Sequence, residues 1–253
     1  AGPGRDIVSG DLGDDHIMGG PQRDTLRGNG GHDTIDGGNH GDRILGANGN
    51  DTLLAGPGND LVDGGGGDDL IRGGRGNDNL FGGKRPDQIF GEAGDDAIDG
   101  GSGADVIDGG KDDDSITGGS QADSIHGGTG DDFLLGDDGR QFDEEGVVIF
   151  FPGENDQIWG DDGDDYLGGE GGDDQLWGGN GADIVDGFQG DDIVNGGANN
   201  DLITGGAGND SLNGAGGNDR CWPEFLVVSV GSVQTNPNDS HAGCELVNPV
   251  FGA

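Results

Sequence analysis

The sequence predicts an all-β solenoid, two parallel sheets of very short strands wound around a thin aliphatic core, and three observations predict it. An Asp recurs every nine residues: Asp6, Asp15, Asp24, Asp33, Asp42, Asp51, Asp60, Asp69, Asp78, Asp87, Asp96, Asp105, Asp114, Asp123 and Asp132. After a slip the series resumes as Asp156, Asp165, Asp174, Asp183, Asp192, Asp201, Asp210 and Asp219. Two places after the Asp stands Val, Ile or Leu in 22 of 23 copies, the exception being Cys221. Gly stands five places before the Asp in 20 copies and two places before it in 16. A period of this kind settles the architecture before any local propensity does.

The stretch 55–81, AGPGNDLVDGGGGDDLIRGGRGNDNLF, shows how each element arises. Glycines at the first, second and fourth places of a copy let the backbone take φ > 0 and turn tightly. The triplet around the aliphatic residue reads as a three-residue strand, its centre inward and its neighbours outward. Two copies make one coil, so successive turns fall on alternate edges. Asp6, Asp24 and Asp42 line one edge; Asp15, Asp33 and Asp51 line the other.

Written out, the copies read G-G-x-G-(N/D)-D-x-U-x over about residues 1–222, which resembles the RTX (hemolysin-type) calcium-binding nonapeptide repeat. The resemblance implies a right-handed parallel β-roll of the kind carried by secreted bacterial toxins, proteases, lipases and surface proteins. It also implies Ca²⁺ held at the 23 aspartates. The chemistry agrees. Stacked turns set like charges one strand spacing apart, ~4.8 Å, and a ladder of carboxylates at that distance repels itself. Ca²⁺ takes six to eight oxygens at ~2.3–2.6 Å, whereas Mg²⁺ demands a small octahedron and keeps its waters. Filling nearly every gap would take ~20 ions.

Composition points the same way. The chain holds 63 Gly, 51 acidic and only 11 basic residues, a formal charge of −40, and 29% hydrophobic residues. Such a chain stays disordered unless its acids are neutralised. Calcium is therefore expected to act as a folding switch, with an acidic disordered chain as the calcium-free state. The charge argues against nucleic acid. No apolar run suits a membrane span, and the first residues show no leader.

The pattern weakens in places. PQRD (21–24), NHGD (39–42), KRPD (84–87), KDDD (111–114), SQAD (120–123) and ANND (198–201) lack the glycine two places before the Asp. These sites are expected to be weak or empty, or to be neutralised by Arg23, Lys84 or Arg85. Residues 1–135 form the repeat, 136–155 an enlarged turn and strand, 156–220 the repeat again, and 221–253 a small C-terminal β cap. Across the slip we expect one continuous roll with six extra residues, VVIF (147–150) serving as a strand; two rolls joined by a linker is the alternative. Twenty-four half-coils would span ~55–60 Å.

Outward positions and the ends complete the reading. Trp159 and Trp177, 18 residues apart, should stack on one face and could contact a sugar or partner. Alternatively the enlarged loop covers them with Phe142 or Phe151. Phe81 and Phe90 fall on opposite faces. In the tail, Cys221 and Cys244 suit a disulfide in an extracellular setting, or Cys221 simply fills the aliphatic slot reduced. FLVVSV reads as a strand, and Trp222 is expected to pack over the last coil. Asn238 is the one sequon outside a tight turn. Nothing precedes the first coil, which suggests either a processed fragment or head-to-tail self-association.

No catalytic signature appears: the histidines are scattered, and G-x-S-x-G and H-E-x-x-H are absent from the sequence. Ice binding would need ranks of outward Thr, and these rows are mixed. The expected function is an extracellular, calcium-binding structural or adhesive roll, possible filament former, and not an enzyme. The alternative is an accessory or secretion module cut from a larger secreted protein.

Overall fold

The computed structural model describes residues 2–137, 141–142, 148–149, 153–222, 240–242 and 244–246. Strands alternate between a 13-stranded and a 12-stranded sheet. Within each sheet every strand pairs in parallel with the one a full coil later, as in Ile7↔Thr25 and His16↔Thr34. The chain is an all-β parallel solenoid.

Alternation along each strand explains the core. In Thr25–Gly30 the side chain of Leu26 is buried while Arg27 is exposed. One aliphatic per half-coil points inward, from Ile17, Leu26 and Ile35 to Ile203 and Leu212, and Cys221 closes the file. Ala55 is the one further apolar side chain in it.

Most strands have six residues where the sequence suggested three. Pairing does not stop after the aliphatic triplet. It continues through the glycine corner, so that Asn29 pairs with Ala47 and Gly30 with Asn48. Three-residue strands occur at Tyr166–Gly168, Ile184–Asp186 and Leu202–Thr204.

The turn uses left-handed backbone at two places, four and two residues before the Asp. Gly65 (φ 99°) and Gly67 (φ 154°) do this before Asp69. The glycine five places before the Asp, such as Gly64, has no positive φ. It is required for space, a different reason from the one its spacing suggested.

The slip also differs from expectation. Phe133–Asp137 pairs with Tyr166–Gly168, and Ser124–Thr129 pairs with Gln157–Asp162, so both sheets continue through it. Asp132 and Asp156 therefore bracket a single half-coil of 24 residues in place of nine, fifteen extra and not six. Gly136 sits under the Asp156 carboxylate as the glycine five places back does elsewhere, which places the insertion at 138–152. VVIF is not a rung of the roll: Val148–Ile149 pairs antiparallel with Gln141–Phe142, apart from both sheets. Covering of the tryptophans by Phe142 or Phe151 rests on the Phe142 side chain and on Phe151, which lie outside what the structure describes.

At the C-terminal end Ser240–Ala242 pairs with Ser211–Gly216, and Cys244–Leu246 with Asp219–Trp222, so the tail extends both sheets by one strand. Trp222 does not pack over the end; it is 38% exposed in the outward row. FLVVSV and Asn238 lie outside the described residues. Among the described residues no helix is long and apolar enough to cross a membrane.

Candidate metal centre

Each repeat Asp is fixed by its place at the end of a turn, where strand pairing holds the backbone and the carboxylate folds back under the corner. From Asp24 onward its Oδ1 accepts the backbone N–H of the Asp one coil earlier: from Asp24 to Asp42 at 2.7 Å, Asp96 to Asp114 at 2.8 Å, Asp174 to Asp192 at 2.8 Å. Across the insertion the same bond links Asp123 to Asp156 at 2.7 Å and Asp132 to Asp165 at 2.8 Å. A ladder of carboxylates runs along each edge as the sequence placed it. From Asp24 onward every member is buried, while Asp6 and Asp15 on the first coils are partly exposed.

The second oxygen is the informative one. From Asp15 to Asp201, and again at Asp219, Oδ2 is buried with no hydrogen-bond partner among the described residues. It nests over the glycine five places back, where an added Cβ would lie 2.1 Å from Asp33 Oδ2 at Gly28 and 2.4 Å from Asp96 Oδ2 at Gly91. Buried carboxylate oxygens without partners are rare and costly. The protonation equilibria register that cost. Burial, and then the neighbouring Asp132 and Asp96, push Asp114 up to about 8 despite the N–H from Asp96. Burial and the charges of Asp156 and Asp105 push Asp123 up to about 9. Asp174 is pushed up to about 9 by burial with Asp156 and Asp192 beside it.

A cation fits this donor set. The orphan oxygens are hard, anionic and repeated once per turn, which suits Ca²⁺. Among the described residues no three acidic, His or Cys side chains converge on one point. An ion would thus draw on one or two stacked Asp oxygens and complete its shell with turn carbonyls.

Seven turns lack the glycine two places before the Asp, and all but the one with Glu154, before Asp156, keep the same left-handed backbone there. Gln22, His40, Arg85, Asp112, Gln121 and Asn199 all take φ between 72° and 102°, a region that costs a side-chain-bearing residue about 1–2 kcal/mol. Their aspartates remain buried in the ladder.

Sequence reasoning missed a second ladder. The residue just before the repeat Asp offers its side-chain oxygen to the backbone N–H 18 residues later, the opposite direction to the Asp ladder. Asp131 accepts from Asp164 at 3.0 Å (33 residues on, across the insertion), Asp113 from Asp131 at 2.9 Å, and Asn155 from Asp173 at 2.8 Å. His32 joins it, its Nδ1 accepting the Asn50 N–H at 2.9 Å. The preference for Asn or Asp at this place was visible, but its hydrogen-bonding direction was not.

On the outer face of the 12-stranded sheet, Trp159 and Trp177 stack with centroids 4.7 Å apart and planes 7° from parallel, as their spacing predicts. His126 extends the stack at 4.4 Å and bonds Asp161 Oδ2 through Nδ1 at 2.9 Å. Phe81 and Phe90 lie in different sheets.

No curated protein matches the chain. The family model for the RTX calcium-binding nonapeptide repeat matches it in overlapping segments that run from residue 1 to 140 and from 153 to 221. The interruption falls on the insertion, and the match stops where the Asp series stops. With the repeat matched over most of its length, the chain belongs to the RTX calcium-binding nonapeptide repeat family.

Proposed function

We propose that this chain is an extracellular, non-enzymatic roll with a structural or adhesive role, whose folding is coupled to Ca²⁺ held between stacked turns. The observation that carries the reading is the unpartnered Oδ2 repeated down both edges. The ligands are the repeat aspartates, Asp6 to Asp132 and Asp156 to Asp219, together with turn carbonyls. Bound calcium supplies positive charge where the fold has buried negative charge, and ~20 ions would saturate it. The ladder of N–H bonds to Oδ1 holds each carboxylate in place, and the glycine beneath leaves room for it.

A Cys221–Cys244 disulfide closes the tail in this reading. It is supported by the absence of a free cysteine among the described residues and by the pairing of Cys244–Leu246 with the strand that carries Cys221, with Cys244 opposite Asp219, two places from Cys221.

The test is a calcium titration from a chelated start at neutral pH, followed by far-UV circular dichroism, equilibrium dialysis and sedimentation. Strand signal should appear with calcium at a stoichiometry of ~20 and should not appear with magnesium at the same concentration. A species near 25.4 kDa marks a monomeric module, and polymer appearing with the fold marks self-association. Full strand signal in chelator at pH 7 would refute the coupling.

A further inference from the structure

The outer face of the 12-stranded sheet holds an aromatic ladder that ends abruptly. His126, Trp159 and Trp177 occupy successive rungs and stack nearly parallel. Their inner faces are spent on one another, so Trp159 offers solvent only its edge. Trp177 is different. Its register partner on the next rung is Asn195, and an Asn side chain is too short to cover an indole. Among the described residues no further ring stacks on that last face, and Trp177 is partly exposed.

Two residues further along these strands stand Gly179 and Gly197. Without side chains there, a trough of about 740 Å³ opens, walled by Thr129, Asp161, Asp162, Asn180 and Asn195; the rings do not line it, and Trp177 stands two residues from its Gly179 on the same strand. Those five side chains are its polar walls, and Ala198 and Ala215 join the lining. Asn180 Nδ2 donates to Asp162 Oδ1 at 2.6 Å. The Asn195 Oδ1 is buried without a partner, so a side-chain rotation that carries it to a ligand hydroxyl gains a hydrogen bond and breaks none.

An aromatic face beside convergent acceptors suits a ring with apolar C–H faces and hydroxyl donors at its rim. Asp161 and Asp162, which line the trough and do not belong to the repeat-Asp ladder, repel an anionic ligand. We propose that this trough binds a neutral carbohydrate, one pyranose ring stacking on the free face of Trp177 and its hydroxyls bonding Asn195, Asn180 and Asp162. The inference rests on the reading above only in needing the roll folded in calcium.

The experiment uses the whole chain in calcium, its fold verified by circular dichroism in the same samples, so that a failure to fold is seen separately from a failure to bind. Cellohexaose, maltoheptaose and mannohexaose are titrated to ~10 mM by tryptophan fluorescence and calorimetry, with trigalacturonate as the anionic comparison. At least one neutral oligosaccharide should bind saturably, Trp177→Ala should weaken it at least ~10-fold, and Phe81→Ala on the other sheet should leave it unchanged. Asn195→Trp extends the ladder over that last face; it should abolish binding while the strand spectrum persists. No saturable binding by the folded chain, tighter binding of trigalacturonate, or binding that survives both Trp177→Ala and Asn195→Trp would overturn the proposal.

Discussion

Protons should substitute for calcium. The perturbation is acidification of the chelated chain from pH 8 to pH 5, stopping above its pI of about 4.1 to avoid precipitation. Burial raises Asp60, Asp69 and Asp105 to about 6; the charge of Asp51 adds to it at Asp69 and that of Asp99 at Asp105, while Arg23 offsets part of it at Asp60. Burial also raises Asp78, Asp87 and Asp165 to about 7, and Asp123 and Asp174 to about 9. A folded-state pKa above the unfolded value of 3.8 means the roll binds protons more tightly than the coil. That contribution is full below about 4 and is lost as pH rises through 6 to 9, so ionisation destabilises the calcium-free roll. Between pH 8 and pH 5, a carboxyl raised to about 6 returns ~1 kcal/mol to folding and one raised to about 9 returns ~4 kcal/mol. Summed over more than a dozen such groups, the uptake makes the transition steep. Far-UV circular dichroism and size exclusion in chelexed buffer should show coil at pH 8 and a compact strand-rich species by pH 5. A chain that remains coil at pH 5, or is already folded in chelator at pH 8, would refute the claim that buried carboxylate charge is what calcium neutralises.

Other predictions follow from the turns. Gly91→Ala places a Cβ 2.4 Å from both Asp96 Oδ2 and the Gly109 carbonyl, whereas at Gly66 the nearest atom is 3.8 Å away. Gly91→Ala should cost ~2–4 kcal/mol in urea unfolding with calcium present, and Gly66→Ala under ~1 kcal/mol. Gln121→Gly relieves a side chain held at φ 79° and should raise stability by ~1 kcal/mol, read as a higher Tm at fixed calcium. Deleting 138–152, so that Asp137 joins Gly153, restores the nine-residue spacing of Asp132 and the following Asp. The shortened chain should keep its calcium midpoint and strand spectrum, and loss of cooperative folding would show that the insertion supports the roll.

The period made the fold legible because each copy repeats one solution: an inward aliphatic, an Asp at the turn and glycine where the chain must bend. The direction of those forces was less visible. Glycine five places before the Asp and glycine four places before it look alike in sequence. One makes room for a carboxylate oxygen, as Gly28 does for Asp33, while the other supplies left-handed backbone, as Gly65 does. The slip misled for a related reason. VVIF has the composition of a rung, yet in each sheet the last strand before the insertion pairs directly with the first strand after it and leaves VVIF no place in either. Composition proposes a strand; only the register of its neighbours decides whether a sheet receives it. The Trp stack was readable from spacing alone, but His126 was not, because its membership depends on Trp159 following it across the insertion.

The two ladders show what the acid at each turn does and does not contribute to the fold itself. The repeat Asp receives an N–H from the coil before it, and the preceding Asn or Asp receives one from the coil after it, as Asp132 and Asp131 do. Turns that carry both residues, such as that of Asp131 and Asp132, are thus tied in both directions by adjacent side chains. An Asn at the repeat position would still accept at Oδ1, so hydrogen bonding alone does not require Asp there. What Asn cannot supply is the negative Oδ2, buried and unpartnered over glycine. A group that destabilises the isolated fold, kept at every turn where a neutral isostere would serve the ladder, is explained by a cation that the folded roll is built to receive. On this argument, converting Asp114 to Asn should ease folding of the calcium-free chain at pH 9, where the acid is ionised, and weaken folding in calcium. A variant that shifted both in the same direction would separate the carboxylate from the ion.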